Sequence, residues 1–205
     1  HEVYSLVLST AIITMFLTPI ISGQTSRLYA LRKRWFQHEP LDTINFPESG
    51  LQNHVIIVGG GRVGFRIAQV LKRLSVPLLI IEIDQLRVER AKHADIPVVF
   101  GDASHEVVLE AAETSSARML IITSPEVVIA QAIVENARKV NTEIQVVARA
   151  PGVEFLEEFK KLNISEVVIP EFEAGLEMAR KALVHLHIPA AKIQHYTESL
   201  RQDLF

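Results

Sequence analysis

The chain has 205 residues, a net charge of −3 and no cysteine. That length suits one domain of ordinary size with additional segments. The near-neutral balance, with no basic stripe in the globular part, speaks against an electrostatic nucleic-acid binder. Absence of cysteine excludes disulfides, a thiol nucleophile and thiolate metal sites. Hydrophobic residues make up 48%, high for a soluble protein, which points to a membranous segment. The first residue is histidine, so the chain reads as a fragment or a processed form.

In chain order, the first feature is Val3 to Ser22, 20 positions without a charge. About 20 apolar residues suffice to cross the hydrocarbon core of a bilayer as a helix. Glu2 precedes the run, whereas Arg27, Arg32, Lys33 and Arg34 follow it. A signal peptide carries its positive charge before the apolar stretch, and the positive-inside rule puts the C-terminal side in the cytoplasm. Residues 1–22 are therefore expected to be a transmembrane helix; a buried helix of a soluble domain is the competing reading. Thr10, Thr14 and Thr18 share one face, where their hydroxyls would either meet neighbouring helices or bond back to their own backbone. Residues 23–52 read as a connector. SRLYALRKRWF suits a short interfacial helix, and the two prolines of HEPLDTINFPESG mark a linker.

From residue 53 the pattern changes to alternating strands and helices. Strands are expected at 54–59, 77–83, 96–100, 118–123, 143–149 and 166–169. Most are continuous apolar runs, as in a parallel sheet covered on both faces. Helices are expected at 62–74, 85–93, 105–113, 126–140 and 153–162, with a last one from about Phe172 to His187. This predicts an α/β fold, a Rossmann-like doubly wound parallel sheet preceded by one transmembrane helix and a linker. Residues 189–205 are left as a C-terminal extension.

The first strand–turn–helix, VIIVGGGRVGFRIAQVL, carries Gly59, Gly61 and Gly64 at G-x-G-x-x-G spacing. Gly59 permits a tight turn, Gly61 lets backbone approach a pyrophosphate, and Gly64 lets helix pack on strand. The helix N-terminus offers free N–H groups and a positive dipole end to phosphates. Glu82, 18 residues past Gly64, closes the next apolar run at the place where an acid meets ribose hydroxyls.

Together with LLIIEIDQLRVERA, IPVVFGDAS, MLIITSPE, VVARA and VVIPEFEAGLEMA, these residues resemble the nucleotide-binding regulatory domain of potassium transport proteins, the RCK, KTN or TrkA-N family. The similarity covers residues 53–188. The preceding helix, with FLTPIIS near its end, resembles the last transmembrane helix of Kef-type monovalent cation:proton antiporters. The resemblance implies that Gly59, Gly61, Arg62, Val63 and Gly64 hold the phosphates and that Glu82 binds ribose and disfavours a 2′-phosphate. It places Asp102 and Ala103 near the adenine, and Thr123 and Ser124 in the same crevice. Asp84 would contact the nucleotide or cap the next helix. Arg149 would reach a phosphate or a partner subunit. For Asp102 a helix N-cap is the structural alternative, and for Arg62 a solvated first turn.

The implied ligand is NAD(H) or an adenine nucleotide, ATP, ADP or AMP. The implied partners are the rest of a transporter's transmembrane domain and a second copy of the domain, with no nucleic acid. The implied location is the inner membrane, with the nucleotide domain in the cytoplasm. No Ser-His-Asp set is evident, and His185 and His187 point to different helix faces, so neither catalysis nor a metal is expected. The function expected is nucleotide sensing that controls an antiporter for potassium or sodium. The gating domain of a potassium channel and a membrane-tethered NAD-dependent oxidoreductase are the alternatives.

Overall fold

The computed structural model describes residues 3–4, 6–15, 43–47 and 50–204, in two compact units, residues 1–40 and 41–205. In the first unit, residues 3–4 and 6–15 are helical and exposed. Thr10 Oγ1 donates to the Leu6 carbonyl at 2.8 Å and Thr14 Oγ1 to the Thr10 carbonyl at 2.9 Å, so these hydroxyls bond back to their own helix. Thr18, the rest of the expected spanning helix and the expected interfacial helix lie outside the described residues. Among the described residues, no helix is long and apolar enough to cross a membrane.

The second unit is built on a seven-stranded sheet. Its strands are β1 (Thr43–Ile44), β2 (Val55–Val58), β3 (Leu78–Glu82), β4 (Val98–Phe100), β5 (Met119–Ile122), β6 (Gln145–Arg149) and β7 (Glu166–Val168). Their spatial order is β1-β4-β3-β2-β5-β6-β7; β1 runs antiparallel to β4 and the rest are parallel. The chain winds outward from β2 through β3 to β4, then returns and winds the other way from β5 to β7. The reversal falls between β2 and β5.

The helices are α1 (Arg62–Arg73), α2 (Gln85–His93), α3 (Glu106–Ala111), α4 (Val127–Val140), α5 (Leu156–Lys161), α6 (Pro170–His185) and α7 (Ala190–Leu204). Alternate residues of the central strands feed two separate cores. Val55, Ile57, Leu78 and Ile80 pack with Phe65 and Ala68 of α1 and with Val88 and Ala91 of α2. Ile56, Val58, Leu79, Ile81, Leu120 and Ile122 pack on the other face with Val108, Leu109, Ile133 and Val134 of α3 and α4. That is why these strands are continuous apolar runs: period-two alternation divides the residues between faces, and both faces are covered.

Three differences from the sequence reading have local causes. The stretch read as linker contains β1, whose Thr43 and Ile44 pair with Val99 and Val98. The helix expected over 153–162 begins as a 3₁₀ turn, Val153–Phe155, before α5. α6 starts at Pro170 rather than Phe172, because proline at the first helical position loses no hydrogen bond. The segment 189–205 is mostly α7, which holds the buried Ile193 and is tied to α6 by the Arg201 guanidinium on both carboxylate oxygens of Glu173, at 3.1 and 2.7 Å. At the foot of β2, His54 is fully buried with Nε2 3.0 Å from the Ala112 carbonyl; burial holds its pKa below the usual histidine value.

Candidate functional site

The reversal of winding opens a crevice above the C-terminal ends of β2 and β5, where open α/β sheets bind ligands. At that point Gly59 follows β2, with φ +95°. A Cβ there would stand 2.5 Å from Thr123 Oγ1, so both conformation and space require glycine. Thr123, just past β5, donates its hydroxyl to the Val58 carbonyl at 2.8 Å and the Gly59 carbonyl at 3.2 Å. Gly61 is the N-cap of α1 with no side-chain cap, and α1 carries no acid in its first turn. A Cβ on Gly64 would overlap the Gly59 carbonyl oxygen outright. On Gly61 it would meet only Arg87 Nη1, at 3.8 Å. The first and third glycines are thus demanded by the fold, while the middle one leaves its side open.

Glu82, the last residue of β3, is 4% exposed. Its Oε2 accepts the Gly60 N–H at 2.6 Å, and its Oε1 accepts the N–H groups of Ile83 at 2.8 Å and Asp84 at 2.9 Å. The carboxylate therefore closes the glycine turn from beside. Asp84 caps α2, accepting the Arg87 N–H at 3.1 Å. Arg87 itself, which the sequence reading did not single out, sets Nη1 3.5 Å from Glu82 Oε2. One signal was present: a cation five residues past the acid, in the first turn of the next helix.

The GDAS turn begins beside Glu82, whose main-chain carbonyl accepts the Gly101 N–H at 3.0 Å. Asp102 does not cap α3; His105 is the N-cap. Asp102 instead holds the turn before it, accepting the Ser104 N–H at 2.9 Å, and that bond keeps its carboxyl below the usual aspartate pKa. Ala103 is buried in the core under α3. Arg62 and Val63 open α1 and are exposed, and Ser124 donates its hydroxyl to Glu126.

Arg149 ends β6 and acts electrostatically on Glu126, the acceptor of the Ser124 hydroxyl. Its Nη2 is 3.8 Å from Glu171 Oε1, and its buried Nε has no partner among the described residues. No hydrogen bond or ion pair among the described residues links it to the glycine turn. The structure thus brings together Gly59, Gly61, Gly64, Thr123, Glu82 and Asp84, sets the GDAS turn against Glu82, and leaves Arg149 two strands from β2.

A glycine turn at the switch point of a parallel sheet, with a buried acid at the end of the adjacent strand, defines the class of doubly wound nucleotide-binding domains. Within that class, residues 55–170 match the TrkA-N domain model, and the chain belongs to that family. It is similar to the "Putative K(+) efflux antiporter KefB" of Alkalimonas amylolytica, 31% identical over 163 residues, covering 80% of this chain and 24% of that protein. It is similar also to the "Putative cation/proton antiporter YbaL" of Escherichia coli, 29% identical over 191 residues, covering 91% of this chain and 33% of that protein. The chain therefore spans about a quarter to a third of the length of these curated relatives. Among solved structures, the Kef CTD of Shewanella denitrificans in AMP-bound form superposes with a TM-score of 0.65 at 26% identity, over 74% of this chain and 92% of that one.

Proposed function

We propose that this chain is the nucleotide-sensing regulatory part of a membrane antiporter that exchanges a monovalent cation, potassium or sodium, for protons. The observation that carries this reading is the Glu82 carboxylate fixed on Gly60 N–H at 2.6 Å, beside a Gly61 whose side is open. Phosphates lie at the N-terminus of α1, against Gly61, Arg62, Val63 and the remaining free N–H groups. The ribose lies toward Glu82, the adenine toward Ile83, Asp102 and Ala103, and Thr123 sets the floor of the turn. The ligand is AMP, ADP, ATP or NAD(H), and the similarity to an AMP-bound Kef domain supports an adenine nucleotide.

In this reading residues 1–22 are the last spanning helix, 23–52 the connector, 53–188 the nucleotide domain and 189–205 its extension. The exposed apolar side chains among residues 3–4 and 6–15, such as Leu6, Ile13 and Met15, suit lipid or neighbouring helices. The domain lies in the cytoplasm at the inner membrane, a reading supported by the basic residues after the apolar run. It pairs with a second copy through α6 and α7, where Met178 is 73% exposed and Tyr196 55%. Arg149 and Glu171 at the start of α6 lie toward that pairing. A nucleotide that prefers one conformation shifts the population of the domain and, by linkage, of the transport unit attached to it. The ligand is bound and not turned over, in keeping with the transporter names of the relatives.

Calorimetric titration of the folded chain with AMP, ADP, ATP, NAD and NADH tests this. Saturable binding of at least one, without hydride transfer to carbonyl substrates, is expected. No binding by any of the five overturns the reading.

A further inference from the structure

Glu82 poses an electrostatic problem for a phosphate ligand. Its Oε2 already holds the Gly60 N–H at 2.6 Å, so one donor of the cradle is spent. The same carboxylate places a negative charge against the turn that the phosphate must approach. The helix N-terminus contributes only about half a positive charge, whereas a phosphomonoester carries about −1.5 to −2 at neutral pH. A further cation is needed, and α2 supplies one in a fixed place.

Arg87 is rooted by its main chain, because the Asp84 cap holds its N–H at 3.1 Å. Its guanidinium meets Glu82 on one side, at 3.5 Å, and lies 3.8 Å from where a Gly61 side chain would begin. The Glu82 contact is longer than a good N–H···O bond. The side chain is 53% exposed while that of Glu82 is 3% exposed, so Arg87 keeps solvent-facing surface beside the turn. Arg90, one turn further on, is committed elsewhere, with its guanidinium 3.9 Å over the Phe65 ring. That stacking ties α2 to α1 and keeps Arg87 beside the glycine turn.

We propose that Arg87 is the phosphate-binding and selectivity residue of the site, and that it makes the site prefer a nucleoside 5′-monophosphate to a dinucleotide. One edge of the fork neutralises Glu82, and the other takes two oxygens of a terminal phosphate, a geometry that guanidinium matches and ammonium does not. In NAD each phosphate is a diester with a single charge and fewer free oxygens, so the same fork gains less. This inference rests on the nucleotide site proposed above.

The test is calorimetry of the full chain and of R87Q and R87K with AMP, adenosine, NAD and NADP. Loss of a charge-assisted bond predicts AMP binding weakened about tenfold or more in R87Q, with part recovered in R87K. Adenosine binding stays within about twofold and NAD within about threefold, since neither offers the fork a terminal phosphate. In phosphorus NMR, bound AMP gives up its second proton at lower pH in the native chain than in R87Q, because the guanidinium favours the dianion. Unchanged AMP affinity in R87Q, equal losses for AMP and NAD, or a loss confined to NADP each overturn the proposal. If the native chain binds none of these nucleotides, the nucleotide-site reading itself falls.

Discussion

At the scale of the residue, the three glycines of the turn do different work, and substitution separates them. Gly64 abuts the Gly59 carbonyl, so Gly64→Ala must push α1 away from β2. Forced displacement in a packed interior typically costs about 1–3 kcal/mol. Gly61 has a negative φ of −65° and free space, so Gly61→Ala is expected to cost under about 1 kcal/mol of stability. Yet its methyl group stands where a phosphate would rest against the backbone. Urea denaturation and nucleotide titration of both variants check this: Gly64→Ala loses stability, whereas Gly61→Ala keeps stability and loses binding. Equal behaviour of the two would contradict the division. Spacing alone made these roles legible, since each depends on backbone geometry that the motif encodes. The partners of Glu82 were not legible. The acid was expected to await a ribose; the fold also uses it to hold Gly60, and no pattern in LLIIE announces that. Arg87 was hidden for a similar reason, as one cation among several in DQLRVERAKH.

At the scale of the element, the strands of the central sheet were readable because burial on both faces leaves uninterrupted apolar runs. β1 was not readable. Two residues between prolines carry no period, and Thr43–Ile44 become a strand only because the edge of β4 offers unpaired N–H and C=O groups. Asn45 fastens the turn that follows, its Nδ2 donating to the Lys92 carbonyl at 3.0 Å. Ile44 packs against the core between the sheet and α2, two strands from the β3 that ends in Glu82. Ile44→Asp is expected to cost about 1–3 kcal/mol, the range for placing an unpaired polar group at a partly buried apolar position. Equilibrium unfolding in urea reads this, and an unchanged midpoint would show that β1 contributes nothing. α7 was legible in principle, since Ile193, Tyr196 and Leu200 recur at helical spacing, but its docking depends on the Arg201–Glu173 pair, 28 residues apart.

At the scale of the whole molecule, winding order explains why one corner of the domain gathers the chemistry. β2 and β5 lie side by side but are separated in sequence by two strand–helix units. Their C-terminal ends therefore bring the glycine turn and Thr123 together, with Glu82 and the GDAS turn on the next strands outward. Arg149 lies on the other wing, at the C-terminal end of β6 and 3.8 Å from Glu171. Sequence spacing within one unit singled out the glycines and Glu82, whereas Thr123 and the GDAS turn entered through family resemblance. Placement across the sheet depends on strand order, so spacing did not separate the two roles that family resemblance implied for Arg149, a phosphate contact and a partner contact.

The measurement that most directly tests the central claim is amide hydrogen exchange on the folded chain with and without saturating AMP. The account predicts slowed exchange at Gly61 to Gly64, at Ile83 to Arg87 and at Asp102 to Ser104, with little change in α5 and β7. Protection confined to α6 and α7, or no protection anywhere under saturating nucleotide, would contradict it.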